Sequence, residues 1–440
     1  MRRLFGTDGF RGIANEELTA FKALKLGYAI AQAFNQTEKP ILIARDTRIS
    51  GEMLEHAIAS GISSAGKDVI LCGIVPTPAL AILSKLKGEI GVMISASHNP
   101  PEYNGIKVIY KGQKLPDKIE EKIEEIYFNV NPKFEPWSIG KIRRDENLKE
   151  EYVKYILKNV ASEIDLNGLK ILVDLANGAA ISTVPEVLKA LGASVDRISG
   201  ELDGTKINVG CGSTNPEYML SKIGKDHDVA ASFDGDADRC IMAKNDFIID
   251  GDFIMAINSI YMKKLGKLKN NTLITTVMSN FGMERFLNDK NIKVIRTKVG
   301  DRYVLERMLE GNHNLGGEQS GHVIFLDYSP TGDGLITLLR TLKVFMDEQK
   351  IFNDVLKNME KLPQFLENVH VEDKEKVMKS SELLKRIDNA RKRLRDIGRV
   401  VVRPSGTEKL IRIMVECENE DLAREIIDYL KEAIINFKEQ

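Results

Sequence analysis

Three aspartates alternate with small residues in one short stretch of the chain: Asp234, Asp236 and Asp238, followed directly by Arg239. Like charges this close repel each other, so the cluster is unfavourable unless a cation lies among them. Carboxylate oxygens are hard ligands that suit Mg²⁺ better than zinc, and three protein ligands leave room for a phosphate oxygen or water. The stretch therefore indicates metal-assisted phosphoryl chemistry, provided that a phosphate acceptor lies elsewhere in the chain.

Two other interpretations of this acidic stretch are weaker. An acidic run is usually a solvated loop, but residues 229–233 before it are apolar and typical of a strand that delivers the acids to its end. A calcium EF-hand also begins with alternating acids, but here its sixth and twelfth positions are Arg239 and Asn245. An EF-hand needs glycine and glutamate there, so that interpretation fails.

A serine-rich loop, residues 95–100, follows the apolar segment 90–94. Functional residues favour loops at the carboxyl ends of parallel strands, and such a loop can present a hydroxyl and backbone N–H groups to an anion. The pair Asn104-Gly105 predicts a turn that brings Lys107 back beside this loop. The alternative is an ordinary polar turn in which His98 is a capping residue.

Two glycine-rich segments are candidates for ligand binding. Residues 6–12 pack three glycines around Arg11, whose rigid fork suits phosphate, although a simple hairpin is the alternative. Residues 316–322 join flexible backbone to donors and acceptors that suit sugar hydroxyls or an amine, with a tight turn as the alternative. The side chains concerned there, with two charged candidates upstream, are Glu318, Ser320, His322, Lys298 and Arg302.

A third candidate lies near the carboxyl end of the chain, between two predicted strands. Two arginines, two hydroxyls and a glycine N–H form a plausible phosphate clamp, with a hydroxyl-rich hairpin as the alternative. The clamp residues are Arg403, Ser405, Gly406, Thr407 and Arg412.

Composition limits the classes of protein to be considered. A chain of 440 residues with 43% hydrophobic residues predicts several domains with substantial cores. The net charge of −1 excludes a strong overall field for nucleic acid or an anionic membrane. Four cysteines without a C-x-x-C pair predict reduced, mostly buried thiols of a cytoplasmic protein. We expect no signal peptide and no membrane span, because no long apolar run is present.

One unit of strand, helix and strand occurs three times, which predicts three related α/β domains with parallel sheets. Its copies are residues 41–44, 52–65 and 69–72; residues 170–175, 184–191 and 194–198; and residues 272–277, 282–288 and 293–296. From about residue 365 the pattern changes to strands 400–403 and 410–417 and a final helix 421–437, which predicts a small α+β domain. The predicted domains are 1–150 (with a linker at 132–136), 151–250, 251–364 and 365–440.

In this order, the motifs resemble those of the α-D-phosphohexomutase superfamily, along essentially the whole chain and with one motif per domain. Segments 5–12, 95–100, 299–304 and 317–322 are most similar to the bacterial subfamily that acts on glucosamine phosphates. The resemblance implies a four-domain, heart-shaped molecule with a central cleft, three similar α/β domains and a carboxyl-terminal α+β domain.

The resemblance also implies roles for individual residues. Ser97 would be the phosphorylated serine, and one of its phosphate oxygens would join Asp234, Asp236 and Asp238 on the metal. Glu318 and Ser320 would bind sugar hydroxyls, the clamp would hold the non-reacting phosphate, and the reaction centre would include Lys107, Arg11, His98 and Arg239. Two positions depart from the family pattern: Lys409 stands where proline is usual, which could alter the clamp loop, and Phe10 stands where isoleucine or valine is common.

The implied activity is interconversion of glucosamine 6-phosphate and glucosamine 1-phosphate through a 1,6-bisphosphate. The implied cofactors are one Mg²⁺ per chain and a hexose or hexosamine 1,6-bisphosphate activator. We expect a hexosamine phosphate substrate, a homodimer through the first domain, and no nucleic-acid or membrane partner. The alternatives are a phosphomannomutase or phosphoglucomutase of the same superfamily, a Mg²⁺-dependent sugar phosphatase and a non-catalytic sugar-phosphate sensor.

Overall fold

The computed structural model describes residues 4–6, 9–88, 90–129, 134–405 and 409–437, and these residues form four sheets that follow one another along the chain. Three are α/β and the last is α+β, as the sequence predicts. All nine strands and helices of the repeated unit are present, with ends within two residues of the predicted ones. The final strand and helix of the α+β region are confirmed in the same way.

The first sheet has the strand order β1-β5-β4-β2-β3-β7, with β6 paired to β5. Its strands β2 and β4 are almost wholly buried apolar runs, as expected for strands covered on both faces. Its elements are β1 (Phe10–Ile13), α1 (Ala20–Ala33), β2 (Ile41–Arg45), α2 (Gly51–Ser64), β3 (Val69–Ile74), α3 (Thr77–Leu83), β4 (Ile90–Ile94), β5 (Tyr103–Tyr110), β6 (Gln113–Lys114), α4 (Asp117–Asn129) and β7 (Ile142–Arg144).

Two details of this sheet differ from expectation. The pair Asn104-Gly105 lies inside β5 rather than in a turn, because the chain already turns at residues 100–102 and Asn104 is buried with its amide donating to Ser50 Oγ. The predicted linker does not end the first sheet, since β7 follows it and pairs in parallel with β3. Residues 132 and 133 of that linker lie outside the described residues.

The second sheet has the order β12-β11-β10-β8-β9, and the third has β14-β13-β15-β16. The second contains α5 (Leu148–Tyr155), β8 (Lys170–Asp174), α6 (Val184–Ala190), β9 (Ser194–Ile198), α7 (Pro216–Lys222), β10 (Val229–Phe233), β11 (Cys240–Lys244) and β12 (Phe247–Ile249). The third contains α8 (Gly251–Lys264), β13 (Thr272–Thr276), α9 (Phe281–Asp289), β14 (Lys293–Thr297), α10 (Asp301–Glu310), β15 (Leu315–Gly317), β16 (Val323–Phe325), α11 (Gly334–Asp347) and α12 (Gln349–Asn358).

The first three sheets all contain both parallel and antiparallel strands, whereas the sequence pattern predicted parallel sheets. In each, a strand that is parallel to its inner neighbour is followed by an antiparallel partner: β4 by β5, β10 by β11 and β15 by β16. The loops between the strands of these pairs are residues 95–102 (the serine loop), 234–239 (the acidic loop) and 318–322 (the sugar loop). The three candidate loops therefore occupy equivalent places in three related sheets.

The fourth sheet is antiparallel, with the order β17-β19-β18. Its elements are β17 (Gln364–His370), α13 (Lys374–Met378), α14 (Ser381–Leu394), β18 (Gly398–Pro404), β19 (Leu410–Cys417) and α15 (Glu420–Ile435). Strands β18 and β19 flank the predicted phosphate clamp, so this loop too joins two neighbouring strands.

One hydrophobic core contains residues of the first three domains, with Leu80, Phe233 and Leu338 among its members. The first domain has a second core that includes Ile94 and Ile106, and the fourth domain has a core of its own. The first three loops are therefore held relative to one another by continuous packing. All four cysteines are free and buried, as predicted. Among the described helices, none has the length and apolar character needed to cross a membrane.

Candidate active site

Ser97 lies in the loop after β4, and its side chain points into the acidic cluster of the second domain. It is buried and adopts a left-handed backbone conformation with φ of 53°. Its Oγ donates to Asp234 Oδ2 at 2.7 Å and lies 3.4 Å from His98 Nδ1. The structure thus joins two motifs that are 137 residues apart in the sequence.

The acidic loop after β10 brings its three carboxylates together. Asp234, Asp236 and Asp238 each offer an oxygen, and these atoms all lie within 4.8 Å of one another. Burial, followed by the neighbouring carboxylates, raises the pKa of Asp234 well above its ordinary value, and the pKa of Asp238 is raised for the same two reasons. Asp238 Oδ1 is buried without a hydrogen-bond partner among the described residues. A group of three buried carboxylates whose mutual repulsion still raises these pKa values offers the hard oxygens that fit a divalent cation.

Cations border this cluster on two sides. Lys107, on β5, places Nζ 2.9 Å from Asp236 Oδ2, and both side chains are buried. Arg239 places Nε 4.0 Å from Asp234 Oδ2 and 3.9 Å from Asp238 Oδ1. Burial alone would lower the pKa of Arg239, but the surrounding carboxylates outweigh it and raise that pKa. The arrangement offers fixed positive charge where a phosphoryl group on Ser97 would lie.

His98 and Arg11 complete the predicted reaction centre. Burial, reinforced by Arg239 and Arg11, lowers the pKa of His98 to about 4, so its ring is neutral at neutral pH. Arg11 lies on β1 opposite Gly105, where a Cβ would lie 3.0 Å from its Cγ. The missing side chain of Gly105 therefore leaves room for the arginine stem between β1 and the serine loop.

The sugar loop joins β15 to β16 and faces the same region. Glu318 Oε1 accepts the N–H of Gly300 at 3.1 Å, and Ser320 is exposed. His322 is buried between two carboxylates, with Nε2 3.9 Å from Asp238 Oδ2 and 3.7 Å from Asp301 Oδ2. Neither of its ring nitrogens has a hydrogen-bond partner among the described residues. His322 therefore contacts the acidic loop directly, which a purely sugar-binding role does not explain.

The two upstream candidates differ from each other in their surroundings. Lys298 is exposed, with Nζ 5.8 Å from the ring of Tyr303. Arg302 forms ion pairs with Asp117 of the first domain and Glu306 of its own helix. The substrate-binding role of Arg302 stays a prediction, and its observed contacts link the first domain to the third.

The phosphate clamp has its two arginines side by side. Arg403 and Arg412 are paired across β18 and β19 and line a cavity of about 210 Å³. Burial and then the charge of Arg412 lower the pKa of Arg403, as expected for two cations held together for an anion. Ser405 is buried and its carbonyl accepts from Lys374 Nζ at 2.5 Å. Gly406 and Thr407 lie outside the described residues.

Several residues that hold the site together were not predicted. Thr77, at the start of α3, donates its Oγ1 to Asp236 Oδ2 at 2.6 Å and its N–H to the Asp236 carbonyl at 3.0 Å. Gly334, at the start of α11, donates its N–H to the carbonyl of Ala237, which has φ of 57°. The acidic loop is thus held by the first and third domains. No local sequence pattern marks these contacts, because their partners are distant in the chain.

Comparison with known proteins agrees with this architecture. The chain matches four family models, described as phosphoglucomutase/phosphomannomutase alpha/beta/alpha domain I at residues 2–133, domain II at 150–247, domain III at 250–362 and the C-terminal domain at 366–433. It is 48% identical over 437 residues to a phosphoglucosamine mutase of Thermosipho africanus, covering 98% of each chain.

Two solved structures share the fold. A phosphoglucomutase/phosphomannomutase family protein of Burkholderia thailandensis has a TM-score of 0.81 and 23% identity, covering 98% of this chain and 96% of the other. An N-acetylphosphoglucosamine mutase of Aspergillus fumigatus, in complex with GlcNAc-6P and magnesium, has a TM-score of 0.67 and 17% identity over 98% and 96% of the two chains.

Proposed function

The chain belongs to the phosphoglucomutase/phosphomannomutase family, and we propose that it interconverts glucosamine 6-phosphate and glucosamine 1-phosphate through a phosphoserine at Ser97. The observation that carries the proposal is the 2.7 Å contact between Ser97 Oγ and Asp234 Oδ2, which joins a nucleophile to a group of three carboxylates. The full-length likeness to the Thermosipho phosphoglucosamine mutase supports the choice of sugar.

In the forward direction, the phosphoryl group leaves Ser97 Oγ and bonds to the free C1 hydroxyl oxygen of glucosamine 6-phosphate. The proton of that hydroxyl passes to a base of the site, and Ser97 Oγ takes up a proton as its bond to phosphorus breaks. The resulting 1,6-bisphosphate turns over in the site, and its 6-phosphoryl group returns to Ser97 Oγ. Glucosamine 1-phosphate then leaves, and the phosphoserine is restored.

The three aspartates would hold one Mg²⁺, together with an oxygen of phosphorylated Ser97. Bound there, the ion would supply positive charge to the transferring oxygens. Arg239 lies against two of the same carboxylates and is placed to stabilise that charge as well. The magnesium in the Aspergillus protein, which has the same fold, supports this choice of ion.

Lys107 is our candidate for moving the proton of the sugar hydroxyl. Its Nζ lies 2.9 Å from Asp236 Oδ2, beside the cluster into which Ser97 Oγ points. His98 is neutral and lies beside Ser97 Oγ, so it is placed to accept a hydrogen bond there.

Recognition of the sugar is assigned to the two remaining loops. Glu318 and Ser320 would bind sugar hydroxyls, and the carboxylate of Glu318 also suits the ammonium group at C2 of glucosamine. Arg403 and Arg412 would hold whichever phosphate is not reacting, since both face one cavity. The separate core of the fourth domain supports movement of this clamp between open and closed arrangements.

The remaining expectations follow from the same assignment. A hexose or hexosamine 1,6-bisphosphate would act as the activator. Four free, buried thiols suit the reducing cytoplasm. A homodimer through the first domain remains part of the proposal, with no nucleic-acid or membrane partner.

A ³¹P NMR time course tests the activity. Purified protein would be given Mg²⁺, a trace of hexose 1,6-bisphosphate and either glucosamine, glucose or mannose 6-phosphate. We expect glucosamine 1-phosphate to form fastest, and the Ser97→Ala variant to form none. Faster turnover of mannose or glucose would correct the sugar, inorganic phosphate alone would indicate a phosphatase, and full activity of Ser97→Ala would refute the phosphoserine.

A further inference from the structure

Arg48 is a fully buried arginine just beyond the end of β2, and its guanidinium is surrounded by the loop that carries Ser97. Its Nη2 donates to the carbonyls of Ser97 at 2.9 Å and Asn99 at 2.7 Å. Its Nη1 donates to the carbonyls of Pro100 and Tyr103, the latter at 2.8 Å. A guanidinium has five N–H donors, and four of them here hold the main chain of one loop.

The fifth donor of Arg48, its Nε–H, binds Asp46, and Asp46 also binds the Ser97 loop through Ser95. Arg48 Nε lies 3.0 Å from Asp46 Oδ2, and both side chains are wholly buried. Asp46 Oδ2 also accepts Ser95 Oγ at 2.6 Å, and Ser95 Oγ in turn accepts the N–H of Ser97 at 2.9 Å. Both the N–H and the carbonyl of Ser97 are thus fixed by one ion pair.

The second domain adds a further donor to the same carbonyl. Asn208 Nδ2 donates to Ser97 O at 2.8 Å and to Asn99 O at 3.2 Å. Gly204 lies in the same segment as Asn208, between β9 and α7, and packs closely against the first domain. A Cβ at position 204 would lie only 2.3 Å from the carbonyl of Thr47. The loop is therefore clamped from both domains whose residues meet at the proposed phosphoryl site.

This clamping has a consequence for the left-handed residue. A non-glycine residue such as Ser97 at φ of 53° is in a strained backbone conformation, which persists only where its surroundings impose it. Because the peptide is trans, holding the Ser97 carbonyl towards Arg48 turns the N–H of His98 away from the guanidinium. Arg48 thereby sets the direction of the peptide next to Ser97 without touching the reacting atoms.

We propose that Arg48, paired with Asp46, is the positioning residue that presets the backbone of the Ser97 loop for phosphoryl transfer. The inference rests on the proposed role of Ser97 as phosphoryl carrier. Since the guanidinium lies behind the loop, its removal should slow transfer while leaving the sugar and clamp loops intact. The loss should appear in kcat rather than in KM.

The main test variant is Arg48→Lys, which keeps the charge but offers at most three donors. We expect kcat to fall about 100-fold, the loss typical of a misplaced reacting group, with KM within about threefold of the parent. Hydrogen exchange of residues 95–104, followed by mass spectrometry in the unphosphorylated protein, should become faster. A kcat within threefold of the parent would overturn the proposal.

Arg45→Met is the matched control. Arg45 lies at the end of β2 and pairs with the buried Glu55 at 3.4 Å, so its loss also breaks an ion pair. Its Nη1 donates to the Asp46 carbonyl at 3.4 Å, but it holds none of the four loop carbonyls. We expect a comparable fall in melting temperature with kcat and loop exchange unchanged. If Arg45→Met lost as much kcat as Arg48→Lys, the loss would reflect general destabilisation of the protein, and the positioning role of Arg48 would be overturned.

Asn208→Gly is a second test variant, which keeps the proposal testable if Arg48→Lys does not fold. The residue is partly exposed and has φ of 60°, which glycine adopts without strain. Losing one of the donors to the Ser97 carbonyl should also lower kcat, by about tenfold. An unchanged kcat would count against the proposal. If the parent enzyme carries no phosphate on Ser97 and shows no turnover, the proposed function fails, while the exchange comparison still tests whether Arg48 fixes the loop.

Discussion

The hydroxyl of Thr77 is expected to control how well Asp236 serves the acidic cluster. Thr77 Oγ1 donates to Asp236 Oδ2 at 2.6 Å, and Lys107 Nζ lies 2.9 Å from the same oxygen. Both donors come from the first domain and approach one oxygen of a wholly buried carboxylate. Together they fix the rotation of that carboxylate, and so the direction in which Asp236 faces the proposed metal.

Thr77→Val removes one of these donors with little change of shape. A hydrogen bond to a charged buried group contributes about 1.5–3 kcal/mol, and the lower figure applies here because Lys107 remains. Partners behind a metal ligand typically change metal affinity by about 10–100-fold. About 1.4 kcal/mol corresponds to a factor of ten, so both routes give Mg²⁺ binding weakened about tenfold.

The assay is a calorimetric Mg²⁺ titration of the unphosphorylated protein, which requires no turnover. Thr183→Val is the control, because Thr183 is also buried and its hydroxyl has no partner among the described residues. We expect the control to bind Mg²⁺ like the parent and to be at least as stable. Mg²⁺ binding of Thr77→Val within twofold of the parent would refute the reasoning.

Three further predictions follow from other parts of the site. Arg403→Met should raise KM for the sugar phosphate by about 10–100-fold, because one of two charge-assisted contacts to phosphate is lost while Arg412 remains; steady-state kinetics over a range of salt concentration tests this, and an unchanged KM would contradict the clamp. Burial raises the pKa of Asp333 to about 6 from an unfolded value of 3.8, so the folded state binds the proton more tightly and stability falls as pH rises from about 4 to 6. Melting curves against pH should show Asp333→Asn gaining about 3 kcal/mol on the parent over that range, and parallel curves would contradict the shift. Gly334→Ala places a Cβ 2.5 Å from the carbonyl of Arg239, so the acidic loop must move and calorimetry should show weaker Mg²⁺ binding, whereas unchanged binding would show that the loop tolerates the side chain.

The sequence alone was sufficient to predict the repeated strand-helix-strand unit and to place most of the candidate loops. Strands such as β2 and β10 are short apolar runs bounded by polar residues, and their burial in the structure is what that pattern indicates. Acids and serines directly after such strands were correctly placed at strand ends. The antiparallel partners were missed because the repeated unit did not include them, although their short connections would have indicated them, since parallel strands need a crossover of about a dozen residues or more.

Most of the residues that hold these loops in place could not be predicted from the sequence, for a different reason. Thr77 and Asn208 are ordinary polar residues whose partners lie 159 and 111 positions away. Arg48 did carry a usable pattern, since Asp46 and Arg48 directly follow β2 and functional residues concentrate after strands of this kind. The rule that found Ser97 and the acidic loop, applied to every strand of the first sheet, would have found this pair too.

The division of the core explains how one clamp can serve two phosphates. In the proposed reaction, transfer at Ser97 would need the serine, acidic and sugar loops in a fixed relation, and the core shared by the first three domains supports such a relation. The clamp would meet the substrate in two orientations, with either phosphate bound, and Arg403 and Arg412 lie on a sheet whose core is separate. A phosphate is close to symmetric about its oxygens, so two guanidiniums on a movable sheet can accept it from either end of the sugar. Under the proposed function, the reacting half of the site would stay fixed, and the fourth domain would supply the movement that a turning intermediate requires.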